Sequence, residues 1–154
     1  MTELAPRPLD ESVTPHALLT RARTLIDTPK KWTQFAMARR STSPFPCSYT
    51  DDEADRFCIV GSIARARFDL GAPTSVHRIV VRALRRILME RDPSDWVSTL
   101  HFNDSAATSH ADVLGLVDET LASIAAGRHL TPSPLSSGLL DEAADESLEG
   151  SFSR

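Results

Sequence analysis

The sequence predicts a mainly α single domain of four to five helices, bundle-like or orthogonal, with one short extended segment or hairpin near residues 32–49. Three observations carry this. Apolar residues recur at three- and four-residue steps in several separate stretches. Helix-capping residues stand at the head of those stretches, and Gly or Pro follows most of them. No set of alternating runs is long enough to build a sheet that could cover the helical faces, so the helices must cover one another.

Residues 1–13 hold two prolines and no period, and are expected as a flexible arm. Thr14-Pro15 then signals a helix start, because Thr caps and Pro is tolerated where its missing N–H would be unpaired anyway. Leu18, Leu19, Ala22, Leu25 and Ile26 follow at helical spacing, and Asp27-Thr28-Pro29 ends the run. From Trp32 to Arg40, Phe35 and Met37 alternate with smaller residues, which suits a short strand; Ser41 to Tyr49, with Pro44 and Pro46, reads as a loop. Thr50-Asp51-Asp52-Glu53 matches a capping box, predicting a helix that carries Ala54, Phe57, Cys58, Gly61, Ala64 and Phe68 on one face and closes at Gly71 and Pro73.

The clearest helix opens at Ser75. Val76, Ile79, Val80, Ala83, Leu84, Ile87 and Leu88 form its apolar stripe, with Arg78, Arg82, Arg85 and Arg86 opposite. Asp92-Pro93-Ser94 breaks it, and a short helical turn is expected around Trp96 and Val97. His101 to Thr108 reads as a polar loop. Ser109 with Asp112 resembles a second capping box, ahead of a stripe from Val113 to Ala125, and Gly127 fits the residue just past the helix end. The helical domain is thus expected over residues 14–130. Residues 131–154 change to Pro, Ser, Asp and Glu, as an acidic tail expected to be disordered. Its segment 139–149 mixes leucines with acids and could fold on a protein partner.

Composition narrows the function classes. Of 154 residues, 41% are hydrophobic and 25% charged, which is ordinary globular usage. No apolar run reaches the 18 residues a membrane span would need. Residues 1–13 lack the basic start and apolar stretch of a secretory signal. Two cysteines, Cys47 and Cys58, are too few for a disulfide framework, so reduced thiols and a cytoplasmic location are expected. The net charge of −4 divides into +2 over residues 14–130, −2 over 1–13 and −4 over 131–154. That near-neutral body, with nine aromatic residues, argues against a dedicated nucleic-acid binder, although the arginine stripe could touch phosphates weakly.

The stretches LLTRARTLIDTPKKWTQFA, RFCIVGSIARA and FNDSAATSHADVLGLVDETL resemble an uncharacterised family of small helical bacterial and phage proteins. That family carries W-x-Q-x-A, C-x-x-G-[AS] and W-N-D motifs, with E-V-L near the start of the last helix. The matching positions here are Trp32, Gln34, Ala36, Cys58, Gly61, Ser62, Asn103, Asp104, Val113 and Leu114. Phe102 stands where the family has Trp, and Asp112 where it has Glu. The resemblance runs from about Leu18 to Ala126; it implies an architecture and marks residues, but implies no activity.

Candidate chemistry centres on Cys58. A thiol at a helix N-terminus has a lowered pKa and can act as a nucleophile. Gln34, Cys58, His101 and Asn103 also occur in the Gln–Cys–His–Asn order of papain-like hydrolases, where Gln helps hold the oxyanion, His is the base and Asn orients it. Asp104 could aim a carboxylate into the same cleft. The plainer reading makes Cys58 a small core hydrophobe and Asn103-Asp104 a turn-forming pair. Gly61, inside a helix, needs a reason such as close approach of another helix or of the Trp32 ring. Cys47, Cys58, His101 and His110 show no compact zinc spacing, and no metal or cofactor is expected. The favoured expectation is a binding or regulatory module without catalysis; a Cys58-dependent acyl-transfer or hydrolytic enzyme is the alternative.

Overall fold

A computed structural model describes residues 2–91 and 98–128. Thr14 caps the first helix, α1 (Pro15–Leu25), by accepting the Ala17 amide on its hydroxyl (3.1 Å). After a 3-10 turn at Pro29–Lys31, the chain enters a three-stranded antiparallel sheet. Its strands are β1 (Ala38–Arg39), β2 (Pro46–Cys47) and β3 (Arg56–Phe57), in the order β2-β1-β3. Ala38 faces Cys47 on one side and Phe57 on the other. The hairpin expected near residues 32–49 is therefore β1–β2, and β2 occupies part of the stretch read as loop.

Four helices complete the described fold: α2 (Ile59–Leu70), α3 (Thr74–Arg91), α4 (Thr99–Asp104) and α5 (His110–Ala125). The chain is a mainly α single domain. Helix α1 packs against α2, α3 and α5, and α3 packs on α5. Leu18, Leu19, Ile63, Leu84, Leu88 and Leu116 are fully buried where these faces meet. On α3, Val80, Ala83, Leu84, Ile87 and Leu88 of the predicted stripe are buried, joined by His77, while Val76 and Ile79 are half-buried; of the opposite arginines Arg78 is exposed and Arg82, Arg85 and Arg86 are half-buried.

Two boundaries differ from expectation. Thr50–Glu53 does not start a helix. The Thr50 hydroxyl pairs with that of Ser48 (2.7 Å), and Asp51 caps only a local turn, its carboxylate accepting the Glu53 amide (2.9 Å) while it also holds Arg40. The chain must stay extended through Arg56–Phe57 to pair with β1, so helix formation waits until Ile59. Second, residues 101–104 are not loop. Ser98 accepts the His101 amide on its hydroxyl (3.0 Å) and starts α4, which holds Asn103 and Asp104 in its last turn. The other signals hold. Gly71 ends α2 at φ 68°, and Ser109 and Asp112 cap α5 reciprocally. Gly127, at φ 74°, donates to the Ile124 carbonyl while Arg128 donates to that of Ser123, a double bond pattern that closes the helix. The Trp96 turn, the last residues of the predicted domain and the tail lie outside the described residues.

Candidate functional site

The three motif regions meet around one side chain. Asn103 is fully buried, and its carboxamide lies between the Trp32–Phe35 segment and the head of α2. Its Oδ1 accepts from Trp32 Nε1 (2.9 Å) and from the Ile59 amide (3.0 Å). Its Nδ2 donates to the Thr33 carbonyl (3.1 Å) and to Asp104 Oδ1 (2.8 Å). All four bonding positions of the carboxamide are filled by protein. Gln34 adds a second clasp, donating from Nε2 to the carbonyls of Asn103 (2.8 Å) and Ser105 (3.0 Å). Asp104 Oδ1 also accepts the amide of Phe35 (2.8 Å).

Cys58 sits next to this network, at the N-cap of α2. The sulfur accepts the Gly61 amide (3.2 Å), and the thiol faces Met37 Sδ (3.9 Å). The residue is 0% exposed. Burial pushes the thiol up to about 12; the Gly61 N–H opposes that, and the Asp104 charge adds to it. A helix N-terminus alone would lower this pKa, but removal from water dominates. Gly61 is explained by the same contact. A Cβ there would lie 1.9 Å from the Met37 carbonyl oxygen, so the close neighbour is backbone leading into β1, not a helix or the Trp32 ring.

A family model matches residues 10–123. The chain belongs to DUF6197, a family of unknown function. No curated protein and no solved structure matches it. The family match spans every residue of the Asn103 network, from Trp32 to Ser105.

Within the DUF6197 domain, Gln34, Cys58, Asn103 and Asp104 converge, and His101 does not join them through any of these bonds. His101 is two residues before Asn103 on α4, which turns it about 160° away around the helix axis; it lies on the exposed side while Asn103 is buried. His110 stands at the head of α5, its Nε2 2.6 Å from the Ile26 carbonyl and its ring 6.0 Å from that of Trp32. Cys47 lies half-buried on β2. Among the described residues, the acids that gather are Asp51, Asp52 and Glu53, and Arg40 already pairs with the first and third.

Two residues of the site escaped the sequence reading. Arg39 reaches from β1 to Thr33 Oγ1 (3.1 Å), the Gln34 carbonyl (3.5 Å) and the Pro44 carbonyl, tying the Gln34 loop to the hairpin. Phe35 adopts φ 60° and is 71% exposed. Left-handed backbone is costly for a residue with a Cβ and persists only when its surroundings impose it. Here the surroundings are Asp104 on the Phe35 amide and the Gln34 clasp. No local sequence signal marks a phenylalanine for that conformation.

Proposed function

We propose that this DUF6197 chain is a non-catalytic binding or regulatory module, and that its motif residues hold a surface loop in place. The observation that carries the reading is saturation of the site. The Asn103 carboxamide, the Gln34 amide group and the shared Asp104 oxygen are engaged with protein groups, and the Cys58 thiol is sealed from solvent with a raised pKa. A nucleophile needs thiolate character and access, and both are opposed here. An oxyanion donor needs a free N–H, and the Gln34 amide nitrogen already serves two carbonyls. What the network delivers outward is Phe35, an exposed aromatic on a strained backbone, which suits contact with an apolar side chain of a protein partner. The acidic–leucine segment 139–149 is a second partner-binding candidate.

Thiol chemistry tests the reading. In a Cys47→Ser background, iodoacetamide should label Cys58 in the native protein far more slowly than in urea, with no plateau between pH 6 and 9. Native labelling at the rate of a free thiol, with a midpoint near neutrality, would restore Cys58 as a nucleophile and defeat the module reading.

A further inference from the structure

Helix α3 carries a cationic stripe opposite its buried face. Arg78, Arg82, Arg85 and Arg86 stand at i, i+4, i+7 and i+8, within an arc of about 100° around the helix axis. No acid interrupts α3 before Glu90. The sequence holds a matching anionic run. Between Leu139 and Glu149 there are five acids and no Lys or Arg. Asp141, Asp145 and Glu149 repeat at i, i+4 and i+8, with Glu142 and Glu146 one place after the first two. Arg78 to Arg86 and Asp141 to Glu149 are equal in length, and a helix through either run covers about 12 Å. Residues 139–149 lie outside the described residues, and their charge and spacing come from the sequence.

We propose that segment 139–149 docks in cis on the α3 arginine stripe and shields that stripe from outside anions. Charge complementarity selects the surface, because opposite charges at equal spacing meet pair by pair while like charges are kept apart. Length permits the contact. Arg128 lies just past the end of α5, and α5 packs directly on α3. The ten residues 129–138 reach about 33 Å when extended, against about 27 Å for the whole of α3. Exposed ion pairs are individually weak and screened by salt. Tethering offsets this, since a linker of such length holds the segment at an effective concentration on the order of millimolar. Docking is therefore reversible and sensitive to ionic strength, and an anionic partner of the stripe must first displace the tail. The inference rests on the regulatory reading of segment 139–149, whereas the iodoacetamide test bears on Cys58 alone, so the two fail separately.

The test uses the full chain with a nitroxide on Ser151→Cys in the Cys47→Ser background, where the remaining native thiol, Cys58, is buried. Paramagnetic broadening of backbone amides reports what the label approaches. At about 0.01 M salt, where the Debye length is about 30 Å, amides from Arg78 to Arg86 should lose at least about half their intensity. At about 1 M salt, where that length is about 3 Å, the loss should vanish. It should vanish at low salt too in Asp141→Asn/Glu142→Gln/Asp145→Asn/Glu146→Gln/Glu149→Gln, which changes no residue of the described fold. No broadening at low salt, or broadening centred away from α3, overturns the proposal. So does broadening that survives high salt or the neutralised tail. Isotope-enriched protein without the nitroxide is then mixed with nitroxide-bearing protein at natural abundance. Broadening of α3 in that mixture would assign the contact to a second copy of this chain and overturn docking in cis.

Discussion

Replacing Asn103 with Asp changes one heavy atom in a buried network and should be among the most destabilising isosteric changes available to this protein. The acceptor side survives, since an Asp oxygen can still receive Trp32 Nε1 and the Ile59 amide. The donor side is lost. An oxygen would then face the Thr33 carbonyl at 3.1 Å and the Asp104 carboxylate at 2.8 Å. A neutral bond contributes about 1 kcal/mol and one to a charged group about 1.5–3 kcal/mol, so the two losses sum to about 2.5–4 kcal/mol before like-charge repulsion is counted. That is a large share of the roughly 5–15 kcal/mol by which a domain is stable. Urea denaturation followed by circular dichroism at 222 nm measures it, with an unchanged slope showing that only stability moved. The pH dependence adds a second test. Burial and the Asp104 charge both raise the folded pKa of the new carboxyl above its unfolded value. The folded state then binds the proton more tightly, so the deficit shrinks as pH falls through the folded pKa and is largest above it. A deficit under about 1 kcal/mol at pH 7.5, or one that widens from pH 7.5 to pH 5.5, would refute the network as drawn.

Two glycines should respond in opposite directions to Ala. Gly61→Ala drives a methyl into the Met37 carbonyl and should lower stability by roughly 3 kcal/mol or more, whereas Gly115→Ala meets open space on α5 and should raise it by about 1 kcal/mol; melting temperatures suffice to rank them. Phe35→Gly should relieve the positive φ and raise stability by about 1 kcal/mol, since the lost side chain is exposed; a lowered melting temperature would show that the ring packs on the body. Arg40 holds the Asp51 carboxyl below its ordinary value, aided by the Glu53 amide. A depressed folded pKa gives stability that is complete above the unfolded value near 4 and is lost as pH falls through the folded pKa. Asp51→Asn should therefore be less stable than the wild type at pH 7 and converge with it toward pH 2; parallel acid-denaturation curves would contradict this.

Several elements were legible because their determinants lie within one helical turn. Thr14 with Pro15, Ser109 with Asp112, and Gly71 and Gly127 all act over three to five residues, and each does in the fold what its local pattern implies. The capping box at Thr50–Glu53 shows the limit. Its residues are correct, but pairing of Arg56–Phe57 with β1 and the Arg40–Asp51 contact outweigh a helix start. The short α4 carries too few apolar residues to show a period, so its polar composition read as loop. The motif resemblance drew attention to Trp32, Gln34, Cys58 and Asn103 without saying what they touch.

Helix faces, caps and fold class follow from the order of residues along the chain, because a 3.6-residue period and its end signals are local physics. The fate of the chemistry-bearing residues does not. Trp32 and Asn103 are 71 positions apart, and their bond exists because α4 is laid against the chain segment that leads into β1. The same packing removes Cys58 from water and so sets its thiol, which a helix N-terminus in solvent would have activated. Burial is a property of what surrounds a residue from all sides. Here it encloses Cys58 at the N-cap of α2 and joins Gln34, Asn103 and Asp104 in one hydrogen-bond network.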